Sequence, residues 1–401
     1  MRKLNYLKNL RTKNKIVNLL VFLMKSDGKL CLPKRFFPFD EKKLLTTVEI
    51  NKAVPFLFHF TICSTCREQL NKKTIKKLND YQNFATMWQL LYQDEKKSLG
   101  KYCQKEGIKA ILIKDFSSYP KIKLYQKYLI GIDLDILVKK NDLSKIESFL
   151  KKRGYRLKRD LSLKNKRGKI YYQEKDFILP KKHTSLDIHT QIAIPHSDEF
   201  NFLSSKTMED LTKTIFRNSR QPKQSNLYIP NKEIFLLSLI AHYQASDVLK
   251  GLRNFFDIIQ FAHLYDKEID WEKFLKFAAR FQLTSFSYFI LLSGSQIFEI
   301  SFPENLKKRE KIPFKARFLV PYLSAKKITF FLPITKWCED NKEARKIFYE
   351  NFFIKLLLVD SVPFWRLIRP RVFIFFLKVG VAWFNKLGCL LYQKLSLLKY
   401  N

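Results

Sequence analysis

Asp133 and Asp135 stand two residues apart in the run from Gly131 to Val138. In an extended strand that spacing puts both carboxylates on one face, where a divalent cation would relieve their repulsion. Oxygen ligands in that number suit Mg²⁺, which takes one or two protein carboxylates and fills its shell with substrate phosphates and water. Asp187, in the strand-like segment from Ser185 to His189, is a third carboxylate that a neighbouring strand would bring alongside. Three carboxylates can hold two metals, one activating an attacking hydroxyl and one clamping phosphates. An acidic pair at this spacing also occurs on solvent-facing strand edges. Here Ile132, Leu134, Ile136, Leu137 and Val138 argue instead for a buried strand, in which unpaired carboxylates are costly. His189 follows Asp187 by two and shares its face, so it would contact substrate, orient Asp187, or serve as a hydrogen-bonded structural histidine.

These residues need strands to present them, and the pattern between about 106 and 195 supplies candidates. Lys109 to Lys114 is a short apolar run, and Ile132 to Val138 alternates before becoming wholly apolar. Asn141 and Asp142 offer an N-cap for a helix through Leu143, Ile146, Phe149 and Leu150, which Arg153 and Gly154 end. Further strands are expected at Tyr155 to Leu157, Lys169 to Tyr172, Phe177 to Leu179 and Ser185 to His189. Such intermixing indicates an α+β fold, a small mixed-sheet core between helical regions. The N-terminal region 1–105 reads as helical, with an apolar period over Leu70 to Gln104. A core unit then spans 106–195 and a helical domain 196–330, with helices from Glu233 to Tyr243 capped by Asn231, from Arg253 to Leu264, and from Trp271 to Phe281 capped by Asp270. His242 and the Arg253/Asp257 pair read as a packed histidine and a helix-surface ion pair. A basic, aromatic helical region, 331–401, closes the chain.

Composition sets further limits. Among 401 residues, 75 Lys and Arg against 37 Asp and Glu give a net charge of +38, and 46% of residues are hydrophobic. The chain can therefore bury a sizeable core and is not a disordered basic tail. Its charge fits three sources: AT-rich coding, polyanionic partners, or an anionic membrane surface. The ten glycines include no two closer than seven residues, which excludes both glycine-rich phosphate loops, the dinucleotide-binding GxGxxG and the GxxxxGK[ST] P-loop. Six cysteines, with one CxxC at Cys63 and Cys66, read as free thiols of a reducing, cytoplasmic compartment; a metal there would need His59 or Cys103 as further ligands. Met1 to Met24 reads as an amphipathic helix rather than a signal peptide. The uncharged stretch Phe281 to Phe298 nears spanning length, yet its serines and glutamines suggest a buried helix of a globular unit.

The runs Ile111 to Lys114, Gly131 to Val138, Arg153 to Tyr155 and Leu186 to His189 together resemble the poorly characterised nucleotidyltransferase family of the polymerase-beta-like superfamily. In that family a strand ending in Leu-Lys-Gly precedes an Asp-Ile-Asp-Leu-Leu-Val strand, and an acidic-x-His strand follows. The resemblance extends weakly into Leu236 to His242 and Leu252 to Asp257. It implies that Asp133, Asp135 and Asp187 are catalytic metal carboxylates for Mg²⁺. The reaction implied is transfer of a nucleoside monophosphate from a nucleoside triphosphate to an unknown acceptor. Lys114 and Lys127 would contact phosphates, Ser117 and Ser118 would donate to phosphate oxygens at a helix start, and His189 would complete the substrate site. Two positions depart from the pattern: Asp115 stands where the family has glycine, and Leu129 where it usually has arginine. A carboxylate at 115 would repel phosphate unless it caps the following helix. The alternative reading is a catalytically degenerate member that binds nucleic acid or a membrane surface.

That alternative draws on 361–401, where Arg366, Arg369, Arg371, Lys378, Lys386, Lys394 and Lys399 alternate with aromatic and aliphatic residues and no acid occurs. Such a helix would pack its apolar face on the protein, lie on an anionic membrane as a peripheral anchor, or bind an acidic polymer.

Overall fold

The computed structural model describes residues 70–122, 133–164, 170–180, 184–192, 205–223, 225–245, 252–309 and 312–313, with positions 19, 41, 44, 45, 57 and 316. The helix expected over Met1 to Met24 (Leu19 apart), the CxxC pair, Lys127, Leu129 and 361–401 lie outside the described residues.

Helix α1 (Lys72–Lys105) runs for 34 residues. It starts where Asn71 Oδ1 accepts the Thr74 N–H at 2.8 Å, satisfying a donor that the first turn cannot pair. Its periodic Leu78, Trp88, Tyr92, Leu99 and Cys103 are buried. A 3-10 turn at Lys140–Asp142 leads into α2 (Leu143–Lys152) without a side-chain cap, so the expected capping by Asp142 does not occur. The far end of α2 is closed as expected, by Gly154 at φ +86°. Its N–H bonds Lys151 O at 2.9 Å, and the next N–H, of Tyr155, bonds Leu150 O at 3.0 Å, a double closure that needs a left-handed residue. Helices α1 and α2 lie together: the Tyr102 and Phe149 rings stack at 4.2 Å, and Arg153 pairs with buried Glu95 at 3.1 Å.

Strands β1 (Ile111–Leu112), β2 (Asp133–Leu137), β3 (Arg156–Lys164), β4 (Ile170–Leu179) and β5 (Thr184–His189) form one sheet in the order β1-β2-β5-β4-β3. Strands β2 and β5 are parallel and every other pairing is antiparallel. Hairpin β3–β4 is longer than its apolar residues suggest. The three short strands expected there form one continuous pair, because its charged middle is stabilised across the ladder: Arg159 pairs with Asp176 at 2.7 Å, and Lys175 with Asp160 at 3.3 Å.

Beyond the sheet come α3 (Ser205–Arg217), a two-stranded ribbon β6 (Ser219–Arg220) and β7 (Ile229–Pro230), then α4 (Lys232–Ala245), α5 (Leu252–Leu264), α6 (Trp271–Arg280), α7 (Thr284–Phe298) and α8 (Glu304–Arg309). Asn231 and Asp270 cap α4 and α6 as expected, accepting from Ile234 N at 3.2 Å and Lys273 N at 3.0 Å. Helix α7 is buried nearly all round. Its Gly294 lies so close to α5 that a Cβ there would sit 2.1 Å from Ile259 Cγ1. Asp257 is buried, unlike the surface position expected for it. Among the described residues no helix is long and apolar enough to cross a membrane.

The helical part joins the sheet at its β1 edge. Leu112 N bonds Tyr228 O at 2.8 Å and Tyr228 N bonds Ala110 O at 2.9 Å. The segment after β1 is then gripped by aromatic packing, with Tyr119 4.3 Å from the Phe235 ring and 5.0 Å from Phe261, and Phe116 5.3 Å from Phe235. This grip fixes the turn that carries Lys114.

Candidate functional site

Register alone assembles a row of charged residues across four strands. Asp135 on β2 lies opposite Asp187 on β5, Asp187 lies opposite Asp176 on β4, and Asp176 lies opposite Arg159 on β3. Residues paired in this way share a face and touch their neighbours. One step along, His189 lies between Leu137 and Glu174. Asp133 heads β2 with its backbone opposite Ser185; its side chain lies outside the described residues.

Asp135 is almost fully buried and is held by two donors. Lys114 Nζ approaches its Oδ1 at 2.8 Å and His189 Nε2 approaches the same oxygen at 2.9 Å. Burial on its own would raise the carboxyl's pKa, but the Lys114 ammonium and the His189 hydrogen bond outweigh it and hold Asp135 well below the usual carboxylate range. It is therefore an anion at neutral pH. Both bonds fall on Oδ1.

Lys114 reaches Asp135 from a turn. Ile113 N bonds Asp135 O at 3.1 Å, continuing the β1 ladder, and Lys114 then takes φ +63°. A non-glycine residue in the left-handed region is uncommon and tends to mark a functional constraint. Asp115 follows with φ −84°, which any residue adopts, so the position where the family has glycine needs none here. Its carboxylate turns inward. Oδ1 accepts from Ser117 N at 3.2 Å and Ser117 Oγ at 2.6 Å; Oδ2 accepts from Lys96 Nζ at 2.9 Å and Ser118 Oγ at 2.6 Å. Asp115 thus caps the 3-10 turn Phe116–Ser118, and the Ser117 and Ser118 hydroxyls both donate to it.

A second group of residues lies beside the row, further along the same face. His189 Nδ1 lies 3.5 Å from Glu174 Oε2, the same oxygen that accepts from the Tyr172 hydroxyl. Glu174 Oε1 pairs with Arg159 Nη2, and Arg159 Nε pairs with Asp176 Oδ2 at 2.7 Å. The hydrogen bond to Asp176 keeps the Arg159 guanidinium charged, with its pKa raised, and nearby Glu174 and Asp187 add to the effect. Burial and the neighbouring Glu174 carboxylate push the Tyr172 hydroxyl far above its ordinary value, so it acts as a donor.

The donor set suits a divalent cation. Ligand atoms of Asp135, Asp187 and His189 all lie within 4.8 Å of one another, as do those of Glu174, Asp176 and Asp187. Each group already holds one cationic side chain, Lys114 on Asp135 in the first and Arg159 on Glu174 and Asp176 in the second, and Asp187 is common to both. Of the residues singled out in the sequence, Asp135, Asp187, His189 and Lys114 come together here, and Ser117 and Ser118 brace the adjoining turn. Glu174, Asp176, Arg159 and Tyr172 escaped the sequence reading. The detectable signal was the alternation of Tyr172, Glu174 and Asp176, which continues the strand past its apolar residues.

A mixed α+β fold with acidic side chains in register on its central strands defines a candidate metal-binding scaffold. The model of the uncharacterised nucleotidyltransferase family matches residues 38–299, well over half of the chain, and the protein belongs to that family. Membership implies a nucleotide substrate. No curated protein and no solved structure matches the chain.

Proposed function

We propose that the protein transfers a nucleoside monophosphate from a nucleoside triphosphate to an acceptor hydroxyl, with Mg²⁺ held by Asp133, Asp135 and Asp187. The observation that carries this reading is the in-register pairing of Asp135 with Asp187 and the 4.8 Å grouping of their ligand atoms with His189. When bound, the cation neutralises phosphate charge and favours ionisation of the acceptor hydroxyl. The acceptor hydroxyl gives up its proton to solvent, its oxygen bonds to the α-phosphorus, the bond from that phosphorus to the bridging oxygen breaks, and pyrophosphate leaves. Such chemistry asks a protein mainly for positioning and charge. Lys114, partly exposed at the rim, and Lys127 supply cations for the triphosphate, while Asp115, Ser117 and Ser118 keep the Lys114 turn in shape. His189 orients Asp135. A cytoplasmic setting accords with Cys103, a buried free thiol whose pKa burial pushes up to about 12 and which is therefore inert.

Purified protein incubated with each labelled triphosphate, Mg²⁺ and a cell extract should transfer label to a defined acceptor. Asp133→Ala with Asp135→Ala should abolish transfer. Failure of Mg²⁺-dependent nucleotide binding, or binding indifferent to both aspartates, overturns the reading. One observation favours a second reading, a non-catalytic member that binds polyanions: Lys114 already pairs with Asp135 at 2.8 Å. Salt-sensitive RNA or liposome binding, unchanged by the double substitution and without nucleotide transfer, would support it.

A further inference from the structure

The reading of Asp135 and Asp187 as cation ligands leaves unexplained why so much buried charge lies beside them. Glu174 is 2% exposed, Tyr172 0% and His189 5%. An ionised carboxylate in such surroundings is expensive unless its lone pairs are filled. Those of Glu174 are filled from two sides, Oε2 by the Tyr172 hydroxyl and Oε1 by Arg159. What the arrangement yields is a fixed carboxylate 3.5 Å from His189 Nδ1, on the side of the imidazole away from Asp135. The Tyr172 hydroxyl lies 3.5 Å from the same nitrogen. On its near side the ring meets Asp135 Oδ1 at 2.9 Å. The ring plane is thus set from both edges.

We propose that Glu174, locked by Tyr172 and Arg159, is a positioning residue for the cation site: it fixes the His189 ring, and His189 in turn holds the Asp135 carboxylate by Oδ1 in its place opposite Asp187. The inference rests on the metal reading above and adds residues from β3 and β4 to a site otherwise built on β2 and β5. It also gives Arg159 a role that a surface ion pair would lack. Anchored on Asp176 as well as Glu174, it ties the charged row to the carboxylate beside His189. Outer partners of metal-ligating groups typically change metal affinity about 10- to 100-fold when removed.

The test is Mn²⁺ titration of the full chain, followed by electron paramagnetic resonance, in parallel with thermal unfolding. Glu174→Gln should weaken Mn²⁺ binding by about 10- to 100-fold, and Tyr172→Phe, which removes a single oxygen, by up to about 10-fold. Arg153→Gln, which breaks the pair with buried Glu95 between α1 and the end of α2, should lower the unfolding midpoint while leaving Mn²⁺ affinity within about twofold of wild type. Should Glu174→Gln fail to fold, Tyr172→Phe decides the matter. Wild-type Mn²⁺ affinity in folded Tyr172→Phe and Glu174→Gln overturns the positioning role alone. Absence of Mn²⁺ binding in the wild-type protein instead overturns the cation-site reading and the inference with it.

Discussion

Asp115 and Asp135 are both buried aspartates, each paired with a lysine, yet the turn after β1 and the row across β2 and β5 use them differently. Asp115 has two donors on each oxygen, all from its own turn and from Lys96. Nothing on it remains to bind a ligand. Asp135 receives Lys114 and His189 on one oxygen and lies in register with another carboxylate. A buried carboxylate with both oxygens filled holds the fold; one bonded on a single oxygen beside a like charge is arranged for a cation.

The sharpest break of that comparison is Asp135→Asn. Nucleotidyl transfer should fall on the order of 10²- to 10³-fold, the scale of losing one preorganised electrostatic contact, in protein that still folds, although losing the charge that Lys114 and His189 pair with also lowers the unfolding midpoint. Transfer at the wild-type rate in folded Asp135→Asn would make Asp135 another structural aspartate. Asp115→Asn should lower stability and spare transfer, costing about 3 kcal/mol in urea denaturation at pH 7, because it strips a buried pair of one partner. Its acid dependence has a definite sign. Burial would raise the Asp115 pKa, but Lys96, Ser117 and Ser118 together hold it below the ordinary value. Its stabilising contribution is therefore complete above the unfolded-state pKa of about 3.9 and is lost as pH falls through the lower folded value. The gap between wild type and Asp115→Asn should accordingly narrow as pH falls below the unfolded-state value, and a constant gap through the acid range would contradict the assignment. The smallest effect is expected at Gly154, where the left-handed closure of α2 lies away from both aspartates. Gly154→Ala should cost about 1 kcal/mol and leave transfer untouched.

The candidate site was partly legible in the sequence, for reasons visible residue by residue. Period-two alternation exposed Asp135, Asp187 and His189, because apolar neighbours marked their strands and spacing marked their face. Capping chemistry located the starts of α4 and α6 at Asn231 and Asp270, and Gly154 located the end of α2. The charged middle of β3 and β4 was hidden, since Glu174 and Asp176 are buried through their pairing with Arg159, and no hydropathy pattern encodes such partners. Asp115 was misleading for a related reason. Its type suggested repulsion of phosphate, whereas Lys96, nineteen residues earlier on α1, neutralises it through a contact that only the fold creates. The ribbon β6–β7 also went unseen, being held by its pairing and its junction with β1 rather than by any pattern of its own.

The central claim is that the two aspartates divide structure from chemistry, and one titration tests it most directly. Mn²⁺ binding should be measured side by side for the wild-type chain, Asp135→Asn and Asp115→Asn, each at a temperature where it is folded. The account predicts binding that is lost in Asp135→Asn and retained in Asp115→Asn despite its lower stability. Equal binding in all three, or loss in Asp115→Asn alone, would contradict it.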